Sequence, residues 1–152
     1  MGELGVLRKK IMRIHALIFT AVILSIFSAS GGEILPKDWL TPDQLEQAER
    51  PIQDQLDTGK AMGATAWDMA ALKDARLLLI YLTIYERLPG NASRAKIYSE
   101  QQAWLKQRRK AVEALADPNG GSMVILDQAS KHMDLTDKRI AILQKKLDRL
   151  KK

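Results

Sequence analysis

The sequence predicts an all-α fold, a small helical domain built on an antiparallel helix hairpin. Three observations carry that prediction. Past residue 30 no run shows sustained period-2 alternation, and β-branched residues are sparse. Apolar residues recur at spacings of three and four between breaks bearing Gly, Pro and Asn, the pattern of helices with one buried face. The 152 residues are 46 % apolar and 28 % charged, enough for one small domain. Cysteine is absent and there are only two His. Disulfides, thiolate metal sites, cysteine nucleophiles and His-rich metal clusters are thereby excluded, and no cofactor or metal is expected.

Residues 1–30 read as an export signal. Arg8, Lys9, Lys10 and Arg13 precede an apolar run from Ile14 to Phe27, and Ser28-Ala29-Ser30 supplies small residues for cleavage close to Ser30. The run is shorter than the roughly 20 residues of a spanning helix. An uncleaved anchor remains the other reading. With no cysteine at the exit there is no lipoprotein signal, and the lack of an Arg-Arg pair argues against a twin-arginine route. The chain is therefore expected in the periplasm or secreted, or membrane-anchored if the signal is retained.

Residues 31–67 form an acidic lead-in. Pro36 to Pro42 is an irregular entry. Thr41 then suits an N-cap with Pro42 at the first helical position, and Asp43 and Glu46 complement the helix start. That helix is expected to stop or kink near Pro51. The small, glycine-bearing residues 58–66 read as a loop. The helical domain follows over 68–150. Its first helix, about 68–88, sets Leu72, Ala75, Leu79, Leu82 and Tyr85 on one face, widened by Leu78, Tyr81 and Ile84. A helix this apolar is nearly surrounded by protein. Pro89-Gly90-Asn91 ends it, with Asn91 as the next cap. A helix over about 92–116 follows, with Ala95, Tyr98, Gln101, Leu105, Arg108, Val112 and Leu115 sharing a face. If Gln101 and Arg108 are buried, they need partners. Asp117 to Gly121 is a turn. Ser122 caps a short helix over 123–133. Thr136 caps a C-terminal helix, with Leu135 and Ile140 as a hydrophobic staple.

Charge is unevenly spread. Residues 31–90 hold six bases and ten acids, and residues 91–152 hold fourteen bases and seven acids. An exported chain does not meet nucleic acid, so the basic half points to anionic lipid, cell-wall polymer or an acidic partner. Membrane contact would run through that surface or through the N-terminal segment.

Gln101-Gln102-Ala103-Trp104-Leu105-Lys106-Gln107-Arg108 resembles the Gln-x-x-Trp-x-x-x-Arg motif of the lysozyme inhibitor LprI-like family, a group of small exported helical domains. Upstream, Asp74-x-x-Leu77-x-x-x-Tyr81 is similar to the family's preceding helix. Downstream, Gly120-Gly121-Ser122 and Leu135-Thr136-x-x-Arg139 fall in the family's order. The resemblance spans about residues 68–147. It implies an all-helical fold and a non-enzymatic binding role, with lysozyme inhibition as the named case. It also implies that Asp74, Leu77, Tyr81, Gln101, Trp104, Arg108, Gly121, Thr136 and Arg139 are mainly structural. Relatives carry paired cysteines where this chain has Val112 and a residue near Lys131, and Asn where it has Leu78. The absent staple is of the kind worth about 2–4 kcal/mol.

No catalytic residue is assigned. His132 has no Ser or Cys with an acidic orienter near it in sequence, and nothing suggests burial for Glu86 and Glu100 as paired carboxylates. Two binding readings stay open. Asp43, Glu46, Glu49, Asp54 and Asp57 offer acidic surface to a basic protein such as lysozyme. Alternatively Arg108, Arg109 and Lys110, in the basic half, bind anionic lipid, wall polymer or another envelope partner. Trp104 is read as core packing beside Arg108, with a ligand platform as the alternative.

Overall fold

A computed structural model describes residues 41–59, 62–117 and 119–151. Residues 1–30, read as an export signal, and the entry at Pro36 lie outside the described residues. Those described form four α-helices: α1 (Pro42–Asp57), α2 (Met62–Arg87), α3 (Gly90–Glu113) and α4 (Gly121–Leu150). No strand occurs among the described residues, and the all-α prediction holds.

α1 begins as its sequence dictates. The Thr41 hydroxyl accepts the Gln44 amide at 3.3 Å, and Gln44 Oε1 accepts the Thr41 amide at 2.8 Å, a reciprocal capping box. The helix does not stop near Pro51 but continues to Asp57. Pro51 and Gln47 both lie on the exposed side. The carbonyl that loses its amide donor at Pro51 therefore faces water, which satisfies it. The opposite side carries buried Leu45 and half-buried Glu49, Ile52 and Leu56, spaced four, three and four, and packs on α2.

α2 starts at Met62, so most of the expected loop over 58–66 is its first turn. The small residues there permit close helix approach. A Cβ at Gly63 would lie 3.0 Å from Ile125 Cγ2 on α4, and Thr65 and Ala66 are buried. From 69 to 86 no α2 residue is exposed. Its largest fully buried side chains are Leu77, Tyr81, Leu82 and Ile84. Leu72, Ala75, Leu79 and Tyr85, expected as the core face, are half-buried. Burial raises the Tyr81 phenol well above its ordinary range, helped by Tyr85 and Tyr98.

α2 and α3 follow one another across the short Leu88-Pro89 link, but the broadest helix packing is α2 against α4, and α3 packs on α4. α3 is too polar to form the centre: only Ile97 and Gln101 on it are buried, while Ala95 and Leu115, placed by spacing on its inward face, are exposed. Asn91 is not the cap. α3 starts at Gly90, in the left-handed region at φ +69°, after Pro89, and has no side-chain cap. Arg94 instead closes the turn. It donates to the carbonyls of Leu88 (3.3 Å) and Glu86 (3.4 Å) at the end of α2, and lies 5.6 Å from the Tyr85 ring centre.

The two C-terminal helices expected from the sequence are one helix of 30 residues. Ser122 makes no cap bond, and Thr136 lies mid-helix, fully buried. Its hydroxyl donates to the His132 carbonyl at 2.8 Å, the i−4 bond that lets threonine stay inside a helix. Before α4, Asp117 Oδ1 accepts the Asn119 amide at 2.9 Å, and Gly121 sits at φ +58°. Gly121→Ala is expected to cost about 1–2 kcal/mol, because a Cβ disfavours the left-handed region. Urea unfolding of the two proteins measures it.

Candidate functional site

Where α2, α3 and α4 meet, the core is polar. Asp74 on α2 takes three side chains. Arg108 on α3 grips both carboxylate oxygens, through Nη1 to Oδ1 and Nη2 to Oδ2 (3.3 Å). His132 on α4 donates Nε2–H to Oδ2 at 3.0 Å. Thr136 Oγ1 lies 3.5 Å from Oδ1 and accepts from Arg108 Nη1 at 2.7 Å. The Arg108 side chain is 11 % exposed and that of Asp74 26 %, so this ion pair is largely withdrawn from water. Burial by itself raises the Asp74 pKa. The His132 hydrogen bond and the charges of Arg108 and His132 outweigh it, and the carboxyl is held below its usual 3.8.

Trp104, one turn before Arg108, carries a cation–π pair. The guanidinium carbons of Arg108 and Arg139 lie 4.7 and 5.7 Å from its ring centre. Arg139 Nε donates to Gln101 Oε1 at 3.0 Å, linking α4 to α3. Burial lowers the Arg139 pKa, and Glu100 opposes the shift. Trp67 packs edge-on against His132, ring centres 5.3 Å apart. Lys73–Asp137 (2.9 Å, α2 to α4) and Glu100–Lys146 (3.7 Å, α3 to α4) are further ties between these helices.

Six of the nine motif residues therefore meet in one cluster: Asp74, Gln101, Trp104, Arg108, Thr136 and Arg139. Leu77 and Tyr81 are core residues of α2, and Gly121 stands at the start of α4. Two members of the cluster were missed. His132 was weighed only as a base, and Trp67 had no place in the sequence reading. The one sequence cue was the His132–Thr136 spacing of four, which puts both on one helix face. At Val112, one of the two positions where the resemblance implies a cysteine, the backbone carbonyl accepts at 3.4 Å from Nε2 of Gln128, three residues before Lys131, and this bond ties α3 to α4.

The candidate partner-binding sets fare differently. Asp43, Glu46, Asp54 and Asp57 are exposed along α1, and Arg50 is its single base. Glu49 is half-buried and paired with Arg76 at 3.0 Å. Arg108 does not join Arg109 and Lys110 on the surface, because Asp74 holds it inside. Arg76 and Asp74 are two residues apart, about 200° round α2. α1 and the polar cluster therefore lie on opposite sides of that helix.

Among the described residues no group of three or more His, Asp or Glu could hold a metal ion. None of the described helices is long and apolar enough to cross a membrane. No curated protein and no solved structure matches the chain significantly. The family model described as Lysozyme inhibitor LprI matches residues 52–143, from the second half of α1 into α4 and including the whole cluster. With more than half its length so matched, the chain belongs to the lysozyme inhibitor LprI family, as a member without cysteine.

Proposed function

We propose that the chain is an exported, non-enzymatic binding protein whose helical domain captures a macromolecular partner in the envelope, a basic lysozyme being the first candidate. The observation that carries this reading is α1: four exposed carboxylates with one base among them. A surface of that sign suits a basic protein and speeds its encounter. Family membership supports the same partner class. The polar cluster is the framework behind that surface. Asp74 with Arg108 and Thr136, Gln101 with Arg139, and the two guanidiniums over Trp104 tie α2, α3 and α4 to one another. They stand in for the covalent staple that a chain without cysteine cannot make.

A second reading rests on α3. Lys106, Arg109 and Lys110 are exposed there, and a basic helix face suits anionic lipid or wall polymer. Titration of two charge variants decides between the readings. Neutralising Asp43, Glu46, Asp54 and Asp57 is expected to slow binding to a basic lysozyme and weaken its salt dependence, while neutralising Lys106, Arg109 and Lys110 leaves it intact. If anionic vesicles are the partner, the two sets exchange roles. Binding to neither at low salt ends both readings.

A further inference from the structure

The Gln101–Arg139 pair is incomplete. Gln101 is fully buried, and its amide Nε2 has no hydrogen-bond partner among the described residues; buried Nη2 of Arg139 has none either. Both donors flank the same 3.0 Å bond from Arg139 Nε to Gln101 Oε1. Covalent geometry therefore keeps them close. The Nε–Nη2 edge of a guanidinium is a fork that a carboxylate fills with two acceptors. A glutamine offers it one acceptor and adds a donor. A buried donor left unmade costs more than a made bond returns.

The charge is unmatched as well. Arg108 has Asp74, whereas the acid acting on Arg139 is Glu100, which lies on Lys146 at 3.7 Å. Among the described residues Arg139 hydrogen-bonds only to a neutral amide. It is also the outer cation over the Trp104 ring, 5.7 Å from its centre, and cannot shed its proton in water-exposed chemistry. Two buried, neighbouring N–H donors beside an arginine with no carboxylate of its own call for an acceptor that is small and negative.

We propose that Gln101 Nε2 and Arg139 Nη2 form a buried site for a small monovalent anion of the halide class, seated between α3 and α4 beside Trp104. The site does not depend on which macromolecule the surface captures. Bound anion stabilises the folded chain by mass action, so stability follows halide concentration.

Thermal unfolding of the full chain in sodium chloride or bromide, balanced with sodium gluconate at fixed ionic strength, tests it. The midpoint is expected to rise with the logarithm of halide concentration. Gln101→Glu carries its own anion into the fork, and its midpoint should be independent of halide. A wild-type midpoint indifferent to halide overturns the proposal, as does a Gln101→Glu variant that keeps the wild-type dependence. Should that variant fail to fold, anomalous scattering from wild-type crystals grown in bromide decides. A peak within hydrogen-bond distance of both donors supports the site. Only a water there, with no peak, overturns it.

Discussion

Asp74→Ala is expected to lose about 3 kcal/mol of folding stability, the lower end of what breaking one side of a buried ion pair costs. The lower end applies because the Asp74 side chain keeps 26 % exposure. The loss comes less from missing attraction than from what remains. Arg108, 11 % exposed, keeps its charge with, among the described residues, the Thr136 hydroxyl alone as a hydrogen-bond partner, and His132 loses its acceptor. Replacing both charges, Asp74→Leu with Arg108→Met, should cost much less than Asp74→Ala alone, since no uncompensated charge stays buried. Urea unfolding of the single and double variants measures both. A double variant as unstable as the single one would mean that the cluster acts by shape and not by charge.

Acid unfolding supplies an independent reading of the same group. The folded carboxyl is held below 3.8, and the unfolded value is about 3.9. A depressed carboxyl contributes stability that is fully present above its unfolded pKa and disappears as pH falls through the folded value. The gap between wild type and Asp74→Ala should therefore be open at about pH 5 and narrow as the solution is acidified below 4. A gap unchanged at pH 2 would show that the ionised form contributes nothing.

Trp104→Ala is the second large effect, expected at about 3 kcal/mol, the low end for loss of an indole because the ring is half-buried. The ring is the surface on which two guanidiniums are stacked. Its removal therefore loosens Arg108 and Arg139 together and with them the Arg108–Thr136 and Arg139–Gln101 links from α3 to α4. Trp104→Phe keeps an aromatic face and should lose roughly half as much. The check is the urea midpoint of each variant beside its affinity for the partner. A Trp104→Ala protein of wild-type stability that no longer binds would make the ring a contact residue and end its framework role.

The sequence by itself determined the helices with clear local chemistry. Thr41-Pro42 with Gln44 specifies the start of α1, because a capping box is complete within four residues. The long apolar α2 had to be surrounded, because water leaves no alternative for such a helix, and no residue from 69 to 86 is exposed. The motif residues could be named from their spacing and resemblance, and Gln101 and Arg108 had to seek partners on α3. The partners themselves were decided only by tertiary structure. Asp74 meets Arg108 across 34 positions and His132 across 58, and no local rule carries information over that range. Tertiary structure also decided three local conflicts. Pro51 stays helical because its side of α1 faces water. Residues 62–66 are helix because their smallness lets α4 approach. Thr136, a cap by its sequence, sits inside α4 because Arg108 and the His132 carbonyl satisfy its hydroxyl. In each case the competing conformations are close in energy within the segment, and burial against a neighbouring helix settles which one forms.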